Sequence, residues 1–138
     1  MEKRLTLTND LSQLAQLPLF VDQLREELSL DEEKCFNLNL VLEEAATNVI
    51  SYAFTDDQVH CFTIDAKTEE NLLYLTLTDD GAPFDPTEVP PVDTTAPAEE
   101  RQIGGLGVFL ITQLMAEVKY ERKNEQNIFT LITKIHNL

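Results

Sequence analysis

The strongest constraint on the fold is a long helical pattern over residues 29–54, SLDEEKCFNLNLVLEEAATNVISYAF. Ser29 or Asp31 is placed to cap its beginning, and acidic side chains occupy the first turn, where the helix dipole favours them. Its apolar residues recur at helical spacing and form one wide face: Leu38, Val41, Leu42, Ala45, Ala46, Val49 and Ile50. A helix with so wide an apolar face is expected to be buried, with the rest of the chain packed around it.

Shorter patterns surround this helix. Residues 3–8 alternate apolar and polar positions, as in an edge strand, and residues 10–28 keep a helical spacing that Pro18 bends or divides. Further along the chain, the patterns predict strands at 60–67 and 72–79, a helix near 106–117, and a hairpin of strands at 117–122 and 127–135. This order predicts an α+β two-layer sandwich, with a mostly antiparallel sheet covered by helices in one domain, 1–138.

Charge and composition exclude several classes of function. The formal net charge of −15 is unfavourable for binding nucleic acid or an anionic membrane surface. It fits either a basic protein partner or a solvated acidic surface. No apolar run is long enough to cross a membrane, and no signal peptide is evident, so we expect a soluble, cytoplasmic protein. Cys35 and Cys61 have no metal-binding spacing and suggest no disulfide framework.

The glycines are concentrated in two places. Three of the four lie in GGLG, residues 104–107, and the fourth is Gly81. Backbone N–H groups at the start of a helix can cradle phosphate, and Arg101 lies three positions before Gly104. The alternative is a glycine-rich hinge with a solvated arginine. Between Gly81 and Gly104, five of the six prolines interrupt any periodicity. Such a stretch indicates a lid, a binding loop or disorder.

Two further polar groups are candidates for chemistry. Glu44 and Asn48 are four residues apart on one side of the long helix, where they could act as general base and divalent-metal ligand. The alternative is a polar stripe exposed to solvent. Asp79 ends a strand in LTLTDDGAPFDP, where its carboxylate could accept from a ligand amine beside Gly81. Acidic residues and glycine are also ordinary turn residues, and taken alone this stretch favours a turn.

The order of these motifs resembles that of the GHKL ATPase superfamily, which has the Bergerat fold. Its N-box, G1-box and G2-box correspond to E-x-x-x-N on a helix, D-x-G at a strand end and G-x-G opening a helix. Within the superfamily, LVLEEAATNVISYAF, LTLTDDGAPFDP and GGLGVFLITQLM are similar to the anti-sigma-factor serine/threonine kinases of the RsbW type. The similarity extends from about residue 10 to the end of the chain.

The resemblance implies an ATP site. It assigns Glu44 as general base, Asn48 as Mg²⁺ ligand, Asp79 to the adenine amino group and Gly81 as the glycine beside it. It matches Gly105 and Gly107 to the G2 glycines near the phosphates and residues 86–103 to the ATP lid. Arg101, Gly104 and Leu106 are expected to complete the nucleotide-binding residues. The four glycines are then expected to let the backbone approach the nucleotide. Two positions depart from the pattern: Tyr52 stands where many relatives have histidine, and Pro83 where they have a second glycine.

Two functions follow from the resemblance. The first is a kinase that phosphorylates a STAS-domain antagonist and regulates a sigma factor by partner switching. The second is a nucleotide-gated binding protein without phosphotransfer. A histidine kinase is disfavoured because neither His60 nor His136 is placed as a phospho-acceptor, and the gyrase, Hsp90 and MutL types need further domains. The resemblance also implies a homodimer.

Overall fold

The computed structural model describes residues 1–88 and 103–137. The strands are β1 (Glu2–Thr8), β2 (Cys61–Glu69), β3 (Leu72–Asp79), β4 (Glu117–Lys123) and β5 (Gln126–Lys134), and the α-helices are α1 (Leu17–Leu28), α2 (Glu32–Asn48) and α3 (Ile103–Leu114). Within these residues, no helix is both long and apolar enough to span a bilayer.

The strands form one sheet in the order β1-β2-β3-β5-β4, and every neighbouring pair is antiparallel. Alternate residues of the strands face the helices, and the three central strands contribute most of this inner surface. Its fully buried side chains include Leu7, Phe62, Ile64, Leu73, Leu75, Leu77 and Leu131. The predicted α+β sandwich is therefore confirmed, and the helices pack on the apolar face of the sheet.

The predicted edge strand and hairpin are both present. β1 pairs only with β2, at one edge of the sheet. β4 and β5 form a hairpin whose two turn residues, Asn124 and Glu125, have φ of 54° and 63°. Two consecutive positive φ angles give the turn the twist that suits a tight antiparallel hairpin.

Local signals set the beginnings of the first two α-helices. Pro18 lies in the first turn of α1, and a separate 3₁₀ turn, Leu11–Gln16, precedes it. Proline divides the predicted helix here because it lacks the N–H that a preceding helical turn would need. Asp31 caps α2, since its Oδ1 accepts from the Lys34 backbone N–H at 2.7 Å. Both features were predicted from the sequence.

The long helix was predicted over residues 29–54, and the chain is helical from Glu32 to Ala53, with a π-helical last turn, Val49–Ala53, in which the backbone widens. One predicted boundary is wrong. The last helix was expected near 106–117, but α3 spans Ile103–Leu114 and Glu117 already pairs with Ile132 in the sheet. The glycines of GGLG therefore lie inside the first two turns of α3.

Candidate functional site

Asp79 is the centre of the candidate site. It is the last residue of β3, only 5% exposed, and directly opposite Asn127 of β5. Its Oδ1 accepts from the Gly81 backbone N–H and from Asn127 Nδ2, each at 2.9 Å. Both of these bonds use the same oxygen. Among the described residues, Oδ2 accepts no hydrogen bond, which leaves one carboxylate oxygen available to an outside donor.

Burial raises the pKa of the Asp79 carboxyl, because the charged form loses solvation. The hydrogen bonds from Asn127 and Gly81, together with the nearby Arg122 guanidinium, oppose this rise, while the charge of Asp80 adds to it. Asp79 is thus a buried acceptor, and the two hydrogen bonds and the Arg122 charge favour its ionised form.

Asn127 and Tyr120 complete this network, and the sequence analysis missed both. The Asn127 side chain is 4% exposed and accepts at Oδ1 from the Tyr120 hydroxyl at 2.6 Å. Its Nδ2 also donates to the Ala82 carbonyl at 2.8 Å. A signal was present in the sequence, since Asn127 has the same inward phase in β5 as Phe129 and Leu131, where a polar residue is unusual.

Asn48 approaches the same site from the end of α2. Its side chain is 6% exposed, and its Nδ2 is buried without a hydrogen-bond partner. Because the oxygen and nitrogen of an amide can exchange places by rotation, this unsatisfied end can also present a carbonyl oxygen. Oxygen is the donor that Mg²⁺ prefers. The buried, unpartnered amide therefore fits the expected role of Asn48 as a Mg²⁺ ligand.

Glu44 lies one helical turn before Asn48 and is half-buried. Its pKa is raised, first because burial penalises the charged carboxylate and second because Glu43 adds a like charge. A raised pKa brings a carboxylate closer to the range in which it can take a proton from a hydroxyl group. This environment agrees with the role of general base expected for Glu44.

A small cavity lies between these elements. Its volume is about 20 Å³, and its described lining is Ala45, Asn48, Val49, Ala53, Asp79, Phe84, Pro86, Tyr120, Asn127 and Phe129. The structure thus brings Asn48 and Asp79 to one cavity, with aromatic rings around them, whereas Glu44 and Gly81 are not among its lining residues. The volume suits a water molecule and not a purine, so the cavity must widen to admit a base.

The loop after Asp79 packs tightly on the π-helical turn. The Ala82 N–H donates to the Ala53 carbonyl at 2.7 Å, and the Tyr52 and Phe84 rings stack with centroids 5.2 Å apart. A Cβ on Gly81 would overlap the Ala53 carbonyl oxygen and lie 2.7 Å from its carbon. In the structure Gly81 makes room for Ala53, and its expected place beside the nucleotide stays a prediction.

Gly81→Ala is expected to destabilise the fold by about 2–3 kcal/mol, since the new methyl group meets backbone that cannot rotate away. Chemical denaturation monitored by circular dichroism measures the change. Ala82→Ser serves as the matched control, because Ala82 is exposed in the same loop. Equal stability of Gly81→Ala and the wild type would contradict the packing described for this loop.

The remaining predicted site residues belong to the second half of the chain. Gly104, Gly105, Leu106 and Gly107 lie in α3, and Arg101 lies outside the described residues. The predicted lid, 86–103, is described only for the short 3₁₀ turn Pro86–Glu88 and for the first residue of α3. A second arginine, which the sequence analysis did not consider, contacts the site: Arg122 Nη1 donates to the Gly81 carbonyl at 2.7 Å.

The chain is similar to known protein kinases and matches a known domain family. Residues 7–133 match the family described as the histidine kinase-like ATPase domain. The chain is 32% identical over 105 residues to the serine-protein kinase RsbW of Listeria monocytogenes serovar 1/2a, an alignment that covers 73% of this chain and 66% of that protein. It is 29% identical over 96 residues to the serine/threonine-protein kinase BtrW of Bordetella bronchiseptica, covering 70% of this chain and 68% of that one.

The alignments therefore span just under two thirds of the length of the Listeria relatives. Among solved structures, the chain is similar to a Mycobacterium tuberculosis protein with RsbU and RsbW domains, with a TM-score of 0.70 and 11% identity. That match covers 98% of this chain and 32% of the other, and at this identity it supports the fold alone.

Proposed function

This chain belongs to the histidine kinase-like ATPase domain family, and we propose that it is an ATP-dependent serine/threonine protein kinase of the RsbW type. In this proposal its substrate is a STAS-domain antagonist protein in the cytoplasm, and phosphorylation of that protein controls a sigma factor by partner switching. One observation carries the proposal: Asp79 and Asn48, from β3 and α2, line the same cavity, and each has a polar end available to a ligand.

Different residues bind different parts of the nucleotide. Asp79 Oδ2 accepts from the 6-amino group of adenine, because Oδ1 is already held by Gly81 and Asn127. The free backbone N–H groups of the first turn of α3, at Gly104 and Gly105, hold the phosphates, as a helix N-terminus does for anions. Asn48 would hold Mg²⁺, which would supply positive charge to neutralise the phosphates.

Glu44 has the remaining role, which is proton transfer. The hydroxyl group of a serine or threonine must lose a proton as it attacks the γ-phosphoryl group. A half-buried carboxylate with a raised pKa on α2 is suited to accept it. The names of the similar proteins, RsbW and BtrW, support a protein hydroxyl as the acceptor.

The test is a transfer assay with γ-labelled ATP, Mg²⁺ and a purified STAS-domain protein as the acceptor. We expect label to appear on a serine or threonine of the STAS protein, and to be lost when that residue is replaced by alanine. ATP binding without transfer to any such protein would overturn the kinase proposal. That result would favour the alternative, a regulator whose partner binding responds to ATP or ADP without phosphotransfer.

A further inference from the structure

Asn127 uses the whole hydrogen-bonding capacity of its side chain inside the candidate site. Nδ2 donates to Asp79 Oδ1 at 2.9 Å and to the Ala82 carbonyl at 2.8 Å. Oδ1 accepts from the Tyr120 hydroxyl at 2.6 Å and from the Phe84 backbone N–H at 3.3 Å. A primary amide offers two donors and one carbonyl acceptor with two lone pairs, and each is engaged. One side chain thus ties the end of β3, the following loop and β4 together.

We propose that Asn127 and Tyr120 are positioning residues for base recognition, which hold Asp79 as an acceptor for the 6-amino group of adenine. This inference rests on the proposed function. Tyr120 acts through Asn127, because its hydroxyl can donate to the amide only at the carbonyl oxygen. With that oxygen fixed, Nδ2 must point at Asp79. A turned amide would instead bring two acceptors together at 2.9 Å.

The surrounding pairs indicate that this polar arrangement is not needed for the sheet itself. On the same inward face of β3 and β5, Leu77 faces Phe129 and Leu75 faces Leu131. These apolar pairs join the strands without buried polar groups. The Asp79–Asn127 pair interrupts the series, although burying a carboxylate and an amide carries a desolvation cost. Both residues of the Asp79–Asn127 pair line the cavity, and Asp79 offers a charged acceptor there.

The test is Asn127→Asp, which keeps the shape of the side chain but places a second carboxyl group beside Asp79. Two carboxyl groups this close share one proton at low pH and lose it as the pH rises. The shared proton replaces the lost donation to Asp79. Among the described residues, the other charged groups near this network are Arg122 on β4, Asp80 beside Asp79, and Asp85 near Tyr120. These groups are the same in the variant and the wild type. Dividing the ATP affinity of the variant by that of the wild type at the same pH therefore cancels their effect.

ATP titrations at pH 5.5 and pH 8, in the presence of Mg²⁺, are compared for wild type, Asn127→Asp and the control Asn137→Asp. The control adds the same charge at an exposed position. Relative to wild type, Asn127→Asp is expected to bind ATP about 10-fold more weakly at pH 5.5 and about 100-fold or more weakly at pH 8. The control is expected to follow the wild type at both values. Circular dichroism at each pH verifies that the variant is folded.

A ratio of variant to wild-type affinity that is the same at both pH values overturns the inference, because a merely structural role has no reason to depend on the shared proton. Failure of the wild type to bind ATP is a different result, which overturns the proposed function instead. If Asn127→Asp does not fold, Tyr120→Phe decides. It removes only the hydroxyl donor and is expected to weaken ATP binding about 5-fold. Unchanged affinity in Tyr120→Phe overturns the inference.

Discussion

Replacing Glu44 by glutamine is expected to slow phosphoryl transfer by about 100-fold or more, the usual contribution of a general base. ATP affinity is expected to change little, because Glu44 is not among the residues that line the cavity. Glutamine keeps the size of the side chain and cannot take the proton from the attacking hydroxyl. Single-turnover transfer from γ-labelled ATP to the STAS protein, with ATP affinity measured in parallel, separates the two effects.

The neighbouring Glu43 provides the matched control. It is exposed on the adjacent position of α2, so Glu43→Gln is expected to transfer at close to the wild-type rate. Transfer by Glu44→Gln at the wild-type rate would remove Glu44 from the mechanism, whatever the result for Glu43.

The pKa of Glu44 gives the same variant a second readout. Because its pKa is raised in the fold, the folded state holds this proton more tightly than the unfolded chain does. The stability associated with Glu44 is therefore lost as the pH rises above about 4.3, the ordinary glutamate pKa, towards the raised value. Glu44→Gln has no such loss. Its free energy of unfolding, relative to wild type, is expected to increase between pH 4 and pH 7.

Asp79→Asn is expected to weaken ATP binding by about 100-fold, which corresponds to about 2.7 kcal/mol. Both hydrogen bonds that Asp79 accepts within the described protein go to Oδ1, and an asparagine oxygen can keep them. The change falls on the other terminal atom. An N–H₂ group replaces Oδ2 and faces the adenine 6-amino group, so a donor meets a donor in a buried site.

A thermal unfolding measurement distinguishes weaker ATP binding by Asp79→Asn from loss of the fold. Asp79→Asn removes a buried carboxylate whose pKa is raised by desolvation, so the variant is expected to be at least as stable as wild type at neutral pH. Asp80→Asn, at the exposed neighbouring position, is the control and should bind ATP normally. Normal affinity in Asp79→Asn would show that this carboxylate does not read the base.

Much of the fold could be predicted from local patterns. The alternation in β1, β2, β3 and β5 and the spacing in α2 are periodic, and the capping by Asp31 and the division at Pro18 depend on neighbouring residues alone. The resemblance to RsbW-type kinases, noted from three short motifs, is confirmed by the family match over residues 7–133 and by the RsbW relatives. Each strand and α-helix was found, and the largest boundary error is in α3, which begins and ends three residues earlier than predicted.

The omissions arise from long-range contacts, which local patterns do not reveal. The role of Gly81 depends on Ala53, which approaches it only in the folded chain. Asn127 meets Asp79 through the register of β5 on β3, and a strand pattern does not reveal that register. The start of α3 was misplaced because glycines were read as a loop, although the chain there is already helical. The sequence was enough to predict the motifs. The folded structure was needed to show which side chains contact the motif residues.

The most direct test of the nucleotide site is calorimetric titration of ATP into the purified wild-type protein, with and without Mg²⁺. We expect one ATP per chain, bound more tightly when Mg²⁺ is present, because the cation, held in part by Asn48, would offset the charge of the phosphates. Absence of ATP binding under both conditions would contradict the account, and would leave this fold as an acidic protein-binding domain that has kept the motifs as scaffold.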